Sequence, residues 1–536
     1  MRYLSAISLC LFMVISMLFG CASYPKVQAE PSYAFSKTQN TSLAKGIALE
    51  ASKHPASSGF YLLGDGLDAF ATRLLLIEKA EMSIDVQYYL FHNDTTAKIF
   101  THYLLRAADR GVRVRMLLDD FGHESQDALF SALVQHPNVS VRLFNPFSNR
   151  TLPYVDFLTN FKQINRRMHN KSFIVDNQAA IIGGRNIGDT YFSANIYTNF
   201  SDLDVLGVGE FAPRVATAFD LYWNHSLSVA IKYIAPASSA AKLEQVRKQL
   251  AKISTSEQSK AYLRRLESLD IIDNLLRGQL ALYWANSELV YDHPDKIMNV
   301  SDDNTGYMAP ALSNLLNDAH SEALIVSPYF IPGDAGVASL KRWINTGANV
   351  TILTNSLSAN DVPVVHAGYA NYRESLIEAG VKLWELRATV KPKSKSKPKI
   401  KSKDKAKHKK ITDLAGSSKA SLHAKTMIFD RNTLFVGSMN LDPRSINLNT
   451  EIGVVIYSDK MASTAADIFL EELPRHAWRL DVAKTENWWG FNHDLLWLDE
   501  SITPTKVVSK NSEPEASTWV RFQAWLFGYL PVEHLL

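Results

Sequence analysis

Apolar and polar positions along the chain repeat one pattern twice. In the first copy, apolar residues at helical spacing run from Asp68 to Ala80, and the run from Ser83 to Phe91 that follows is rich in β-branched and aromatic residues. A second helical stretch, Ala97 to Asp109, stops at Gly111 and gives way to apolar strands at Val112 to Leu118 and Val139 to Phe144. In the second copy a helix around Leu312 to Ala319 precedes the run Ala323 to Phe330; the helix Val337 to Asn345 stops at Gly347, and a strand opens at Asn349. Strands and helices alternate, so the spacing predicts parallel strands covered by helices. The expected fold class is α/β: two pseudo-symmetric lobes, each a mixed, mostly parallel β-sheet flanked by helices.

The segments around the two copies set the expected domains. Residues 1–20 hold one early charge, Arg2, then an apolar stretch from Leu4 to Phe19, and read as a signal peptide ending at Gly20-Cys21. A polar leader spans 21–58, a first lobe 59–235, a helical connector 236–300, a second lobe 301–490 and a C-terminal tail 491–536. Within the connector, Ala241 to Lys252 and Glu257 to Leu269 read as helices. Gly347 to His423 exceeds Gly111 to His169 by 18 residues, and a Lys-rich insert at 391–410 accounts for the excess.

That insert also distorts the charge balance. The formal net charge is +3, but the insert alone holds 11 Lys and one Asp, and the remainder carries 46 Lys and Arg against 53 Asp and Glu. A nucleic-acid protein would spread positive charge over a folded face, so nucleic acid is not an expected partner. Cys10 and Cys21 are the only cysteines, which leaves no disulfide framework and no cysteine metal site. With 46% hydrophobic residues and no later run of about eighteen apolar residues, the chain is neither disordered nor a multi-span membrane protein.

Both copies lead to one polar constellation. The first holds His169, Lys171, Asp176 and Asn186; the second holds His423, Lys425, Asp430 and Asn440, at identical spacing. Each group lies on an expected hairpin, Ser172 to Val175 turning into Ala179 to Ile182, and Thr426 to Phe429 turning into Leu434 to Val436. Residues two apart on a strand share a face, so each histidine projects with its lysine. An imidazole beside an ammonium suits a phosphate: lysine neutralises a nonbridging oxygen, asparagine donates further, and the imidazole attacks phosphorus or protonates the leaving oxygen.

Strand parity sets Asp176 and Asp430 opposite their own histidines, at the start of a turn that aspartate favours, so they read as structural supports first. A catalytic histidine needs an acceptor for its second ring nitrogen, and Asp202 and Glu451, at matching places before apolar strands, are the better candidates.

These residues resemble the phospholipase D superfamily, whose members carry paired H-x-K-x4-D motifs. Phrases such as Asn165-Arg166-Arg167-Met168-His169-Asn170-Lys171, Asp361-Val362-Pro363-Val364-Val365-His366 and Asn440-Leu441-Asp442-Pro443-Arg444-Ser445 resemble, within it, the bacterial cardiolipin synthases of the C type. The resemblance covers nearly everything from residue 58 onward; the Lys-rich insert departs from it. It implies a phosphohistidine intermediate, no metal and no cofactor, and transfer of a phosphatidyl group from one phospholipid, phosphatidylglycerol or phosphatidylethanolamine, to an acceptor alcohol. Transfer to phosphatidylglycerol gives cardiolipin and transfer to water gives phosphatidic acid; a phosphodiesterase or nuclease of the same fold is a further alternative. By analogy His169 is the nucleophile and His423 the general acid and then base, although the symmetry of the two motifs leaves the assignment open. Leu18-Phe19-Gly20-Cys21 resembles a bacterial lipoprotein box, which implies lipid attachment at Cys21 and, with Ala22 following, the periplasmic face of the outer membrane of a Gram-negative cell.

The remaining features read more plainly. The Lys-rich insert cannot build a core and is a solvated loop or an anionic-membrane contact. Arg166 and Arg167 either touch headgroup phosphate or form a solvated pair, and His366 either contacts substrate or is a packing or surface residue, the second reading being preferred. Trp519, Phe522, Trp525, Leu526, Tyr529 and Leu530 recur at helical spacing, and this stripe docks on a bilayer surface or on the second lobe.

Overall fold

Each copy of the repeat folds into a sheet whose centre is parallel and whose flanks are antiparallel. The computed structural model describes residues 30–150, 155–194, 198–257, 259–260, 264, 271–298, 307–318, 320–388, 419–487, 490–530 and 533–536. The expected signal peptide, Cys21, the insert 391–410 and most of the stretch from Glu257 to Leu269 lie outside the described residues.

The first lobe follows α1 (Ser42–Lys53) with β1 (Ser58–Leu63), α2 (Gly66–Lys79), β2 (Ser83–Tyr88), α3 (Thr95–Asp109), β3 (Arg113–Asp119) and β4 (Val139–Phe144). The hairpin β5 (Ser172–Val175) and β6 (Ala179–Gly183) comes next, then β7 (Thr198–Ser201), β8 (Asp204–Gly209), α4 (Phe211–Trp223) and β9 (Ser228–Ala230). Helix starts follow local chemistry: the carboxylates of Asp65 and Asp94 accept the Asp68 and Ala97 N–H groups that open α2 and α3. Helix α1 departs from the expectation of a polar leader, because its Leu43 and Ile47 are buried in the first-lobe core.

Helix α5 (Ala240–Ser254) packs on α3, and the connector continues into β10 (Tyr283–Tyr291). The second lobe contains α6 (Met308–Asp318), β11 (Glu322–Val326), α7 (Gly333–Asn345), β12 (Asn349–Asn355), α8 (Pro363–Ala370) and β13 (Lys382–Leu386). It continues with β14 (Lys419–Leu422), the hairpin β15 (Thr426–Phe429) and β16 (Thr433–Gly437), β17 (Ile452–Tyr457) and α9 (Asp459–His476). The chain closes with β18 (Ala477–Asn487), β19 (Gly490–Asp499), β20 (Lys506–Lys510) and α10 (Thr518–Phe527).

In the first lobe the strand order is β1-β8-β6-β5-β2-β3-β4-β9, and in the second β10-β17-β16-β15-β11-β12-β13-β18-β19-β20. Among the described strands, the parallel ladders within the lobes are β2-β3-β4 and β11-β12-β13, the strands joined by helical crossovers. The expected α/β fold of two lobes with mixed sheets is present: each sheet is parallel at its centre, and the hairpins that carry the motifs pair antiparallel on one side of each parallel trio. The boundary expected at 490 falls inside β19, which pairs with β18 and with β20, so the second sheet continues past it to Lys510.

Two features fix one lobe against the other. Strand β10, expected to be helical connector, pairs with β1 through Tyr283–Ala285 and with β17 through Asn286–Tyr291, and so sews the two sheets together. Across the interface Ile174, Ile182 and Val205 of the first lobe share one buried apolar cluster with Ile428, Val436 and Ile452 of the second. Truncating one such side chain to alanine costs about 2–5 kcal/mol, so this seam is as rigid as a domain core.

Candidate active site

The site is built where each lobe reaches across that seam. Strands β7 and β14 pair in parallel, one from each lobe, and isolated bridging joins Met168 to Thr450. As a result the His423 N–H donates to the Ser201 carbonyl at 2.8 Å, and the His169 N–H donates to the Thr450 carbonyl at 2.9 Å. Ser201 precedes Asp202 and Thr450 precedes Glu451, so each backbone contact delivers a carboxylate from the opposite lobe. The His423 Nδ1 lies 2.7 Å from Asp202 Oδ2, and the His169 Nδ1 lies 2.8 Å from Glu451 Oε2. A proton on Nδ1, held by the carboxylate, leaves the lone pair of a neutral ring on Nε2.

Both histidines are buried to the same degree, at 8% exposure, and both stand just before their strands rather than on them. Each lysine is buried with its histidine: Lys171 Nζ donates to the His169 carbonyl at 2.7 Å, and Lys425 Nζ donates to the His423 carbonyl and lies 3.1 Å from its Nδ1. Tyr89 packs edge-on against His169 at 5.0 Å, and Tyr191 does the same to His423 at 5.1 Å.

The electrostatics separate the two halves. Burial, reinforced by Lys171, Lys425 and Arg444, holds the His169 imidazole well below its usual range. Burial and Lys425 bring His423 down to about 4, against the pull of Asp202. Lys171 acts on His423 as well, so both ammonium groups act on both rings and the two histidines share one field. Burial lowers Lys425 to about 8. The carboxylates diverge: burial raises Glu451 to about 7, whereas for Asp202 the same burial is outweighed by His423, Lys425 and Arg185, which bring it down to about 2.

Small residues complete each carboxylate. A Cβ on Gly184 would stand 2.1 Å from Asp202 Oδ1, so the first lobe needs glycine there. Ser438 occupies the corresponding place in the second lobe, and its hydroxyl donates to Glu451.

Asp176 and Asp430 do not touch the histidines. Asp176 accepts from the N–H groups of Glu81, Met82 and Ser83, and Asp430 from those of His320, Ser321 and Glu322. Each opens a turn at positive φ, so these motif aspartates tie the turn of the catalytic hairpin to the start of the neighbouring strand. They leave the catalytic set on this geometry.

The asparagines differ. Asn186 accepts from the Leu90 N–H and donates to the Tyr191 hydroxyl at 2.9 Å, so its amide is engaged within the lobe. Asn440 Oδ1 is buried without a hydrogen-bond partner among the described residues.

Arg167 is neither solvated nor a headgroup contact. It is buried in an ion pair with Asp119, whose other oxygen accepts the Met168 N–H and so fixes the segment before His169. His366 is buried against Arg373 and Glu513, in a packing role. Among the described residues no group of three or more His, Cys, Asp or Glu is placed to hold a metal ion.

A family model described as "Cardiolipin synthase, PLD-like domain" matches residues 74–223 and 312–473, one segment per lobe and together more than half of the chain. The chain belongs to this family. It is 39% identical to "Cardiolipin synthase C" of Escherichia coli (strain K12) over 494 residues, covering 92% of this chain and 99% of that one. It is 33% identical to an uncharacterized protein of Helicobacter pylori (strain ATCC 700392 / 26695), covering 90% of each. Among solved structures, a phosphatidylserine synthase of Haemophilus influenzae Rd KW20 superposes with a TM-score of 0.53 at 15% identity over 81% of this chain and 92% of that one, a likeness of fold.

Several residues of this PLD-like site escape a sequence reading. Tyr89 closes an ordinary apolar run and Tyr191 lies in a loop, so neither carries a pattern; their ring contacts exist only after folding. Asp292 and Lys296 form a buried ion pair at 2.9 Å, and Asp292 Oδ2 accepts the Glu451 N–H. Their i,i+4 spacing is the one local signal the sequence carries for them.

Proposed function

We propose that this PLD-like protein is a phosphatidyltransferase that makes cardiolipin from two phospholipids through a phosphohistidine. The observation that carries the reading is the exchange of carboxylates, which gives two imidazoles, each with its Nδ1 held, in one field of two buried lysines. His169, kept neutral by burial and by Lys171, Lys425 and Arg444, attacks the phosphorus of phosphatidylglycerol through Nε2. The bond from phosphorus to the glycerol headgroup oxygen breaks, and His423 gives its proton to that oxygen. A second phosphatidylglycerol then loses its hydroxyl proton to His423 and attacks phosphorus; the phosphorus–nitrogen bond breaks, yielding cardiolipin and glycerol and restoring both rings.

His423 must first be protonated, although it sits at about 4 in the unliganded site. A phosphodiester anion about 4 Å from the ring contributes on the order of 4 kcal/mol at an effective dielectric of about 20, enough to keep the ring protonated up to near-neutral pH. The ionised Asp202 beside it supports the acid role, and Lys171 and Lys425 neutralise the nonbridging oxygens.

Mass spectrometry of lipids after incubation with phosphatidylglycerol vesicles, with and without phosphatidylethanolamine, tests the reading. Cardiolipin is the expected product; phosphatidic acid alone would make the protein a hydrolase, and cleavage of DNA in preference to lipid would make it a nuclease. We further propose export by residues 1–20 and lipid attachment at Cys21, which would hold the enzyme on the periplasmic face of the outer membrane. Metabolic labelling with a fatty acid, lost in Cys21→Ser, is the expected result.

A further inference from the structure

Helix α10 has two unlike faces. It opens at Ser517, whose hydroxyl accepts the Val520 N–H, and it lies against α8. Val520, Gln523, Ala524 and Phe527, spaced by three and four, are half-buried and form the face turned to the lobe. On the other side Trp519, Phe522, Trp525 and Leu526, with Tyr529 and Leu530 just beyond, are 45–72% exposed. Their rings stand in series, Trp519 to Phe522 at 5.7 Å, Phe522 to Trp525 at 5.9 Å and Trp525 to Tyr529 at 5.2 Å. The helix therefore meets the lobe through Val520, Gln523, Ala524 and Phe527 and presents both of its tryptophans outward.

The helix is tied at both ends to the site. Helix α8 starts just after Asp361, which accepts from the Tyr329 hydroxyl at 2.8 Å and whose charge acts on Lys425. Past α10 the chain ends on Arg444: the Leu536 carbonyl accepts the Arg444 N–H at 2.7 Å and the Leu535 carbonyl accepts its Nε–H at 3.0 Å, while the Arg444 charge acts on His169. From Ser517 to Leu530 the only charged residue is Arg521, so no carboxylate opposes an anionic surface. Tryptophan and tyrosine, with apolar rings and polar tips, settle where hydrocarbon meets headgroups.

We propose that the exposed face of α10 docks on the headgroup boundary of an anionic phospholipid bilayer and so sets the site over a lipid phosphate. This rests on the phospholipid reading of the site, and it names the surface from which the substrate enters.

Quenching of tryptophan fluorescence by brominated phosphatidylglycerol–phosphatidylethanolamine vesicles tests it, comparing the wild-type chain with Trp519→Phe/Trp525→Phe, which keeps eight of the ten tryptophans. Quenching in the wild type that is largely lost in the variant is expected; equal quenching in both, or none in either, would overturn the proposal. A second variant, Trp519→Glu/Trp525→Glu, is expected to turn over long-chain phosphatidylglycerol in vesicles about tenfold or more slowly while keeping its rate on a soluble short-chain phosphatidylglycerol. Equal loss on both substrates would make α10 a structural part of the lobe. Dissociation of a dimer by the same variant, with vesicle turnover unchanged, would make the face a seam between copies. Were the wild type quenched by vesicles yet inert on every phospholipid, the docking surface would stand and the enzyme reading would fall.

Discussion

The two lobes bring the same histidine, lysine and asparagine to the site and surround them differently. The first lobe lends the second an aspartate that stays ionised, in a space cleared by Gly184; the second lends the first a glutamate raised to about 7 and held by the Ser438 hydroxyl. Duplication supplied two equal imidazoles, and the exchanged carboxylates make them unequal. A firmly charged partner favours the ring that must become a cation early, and a weaker one leaves the other ring neutral to attack.

The largest effects should come from the rings themselves. His169→Ala and His423→Ala should each lower turnover by about 10²- to 10⁴-fold or more. They should part on a substrate with a good leaving group, where His423→Ala still forms a covalent adduct and His169→Ala forms none; identical behaviour would erase the distinction between the lobes. Next come the carboxylates. Asp202→Asn and Glu451→Gln both remove the acceptor of an Nδ1 proton, and steady-state kinetics should show Asp202→Asn losing about tenfold more, since its partner carries the full charge.

The pH profile of kcat, which reports the substrate-bound site where the phosphodiester has raised His423, sharpens the same contrast. Below about 7 Glu451 gains a proton and ceases to be an acceptor, and above about 8 Lys425 loses the proton that neutralises phosphate, so activity should peak between these values. Ser438→Ala removes a donor to the charged form of Glu451; it should move the acidic limb to higher pH and lower the peak by less than about tenfold. The smallest catalytic effect belongs to the motif aspartates. Asp176→Asn should cost about 1–3 kcal/mol of stability in a denaturation experiment, with kcat kept. Asp430→Asn should cost less, because Asp430 and the N–H groups it holds are more exposed.

Most of the architecture was legible because the pattern is written twice. The hairpins Ser172–Val175 with Ala179–Gly183 and Thr426–Phe429 with Thr433–Gly437 stand within a residue of where period-two alternation and turn residues placed them. Strand parity separated Asp176 and Asp430 from their histidines, and the need of an imidazole for an acceptor singled out Asp202 and Glu451. Periodicity is a local signal, and what it missed is nonlocal. Nothing in the run Tyr283 to Tyr291 says that one strand pairs with both lobes. Nor does any spacing say that Asp202 serves the histidine 221 residues away rather than its own. Arg167, read as a surface or headgroup residue, is buried because Asp119 waits for it at the end of β3. The stripe of α10 was visible, but which of its faces meets the lobe depends on α8, which lies far upstream.

The most direct test is to quench the wild-type enzyme during turnover of phosphatidylglycerol and map the phosphohistidine by mass spectrometry of its peptides. One adduct, on His169 alone, is the expected result for two unequal rings meeting at a single phosphorus. Adducts on both His169 and His423 would mean two separate half-sites, and would contradict it.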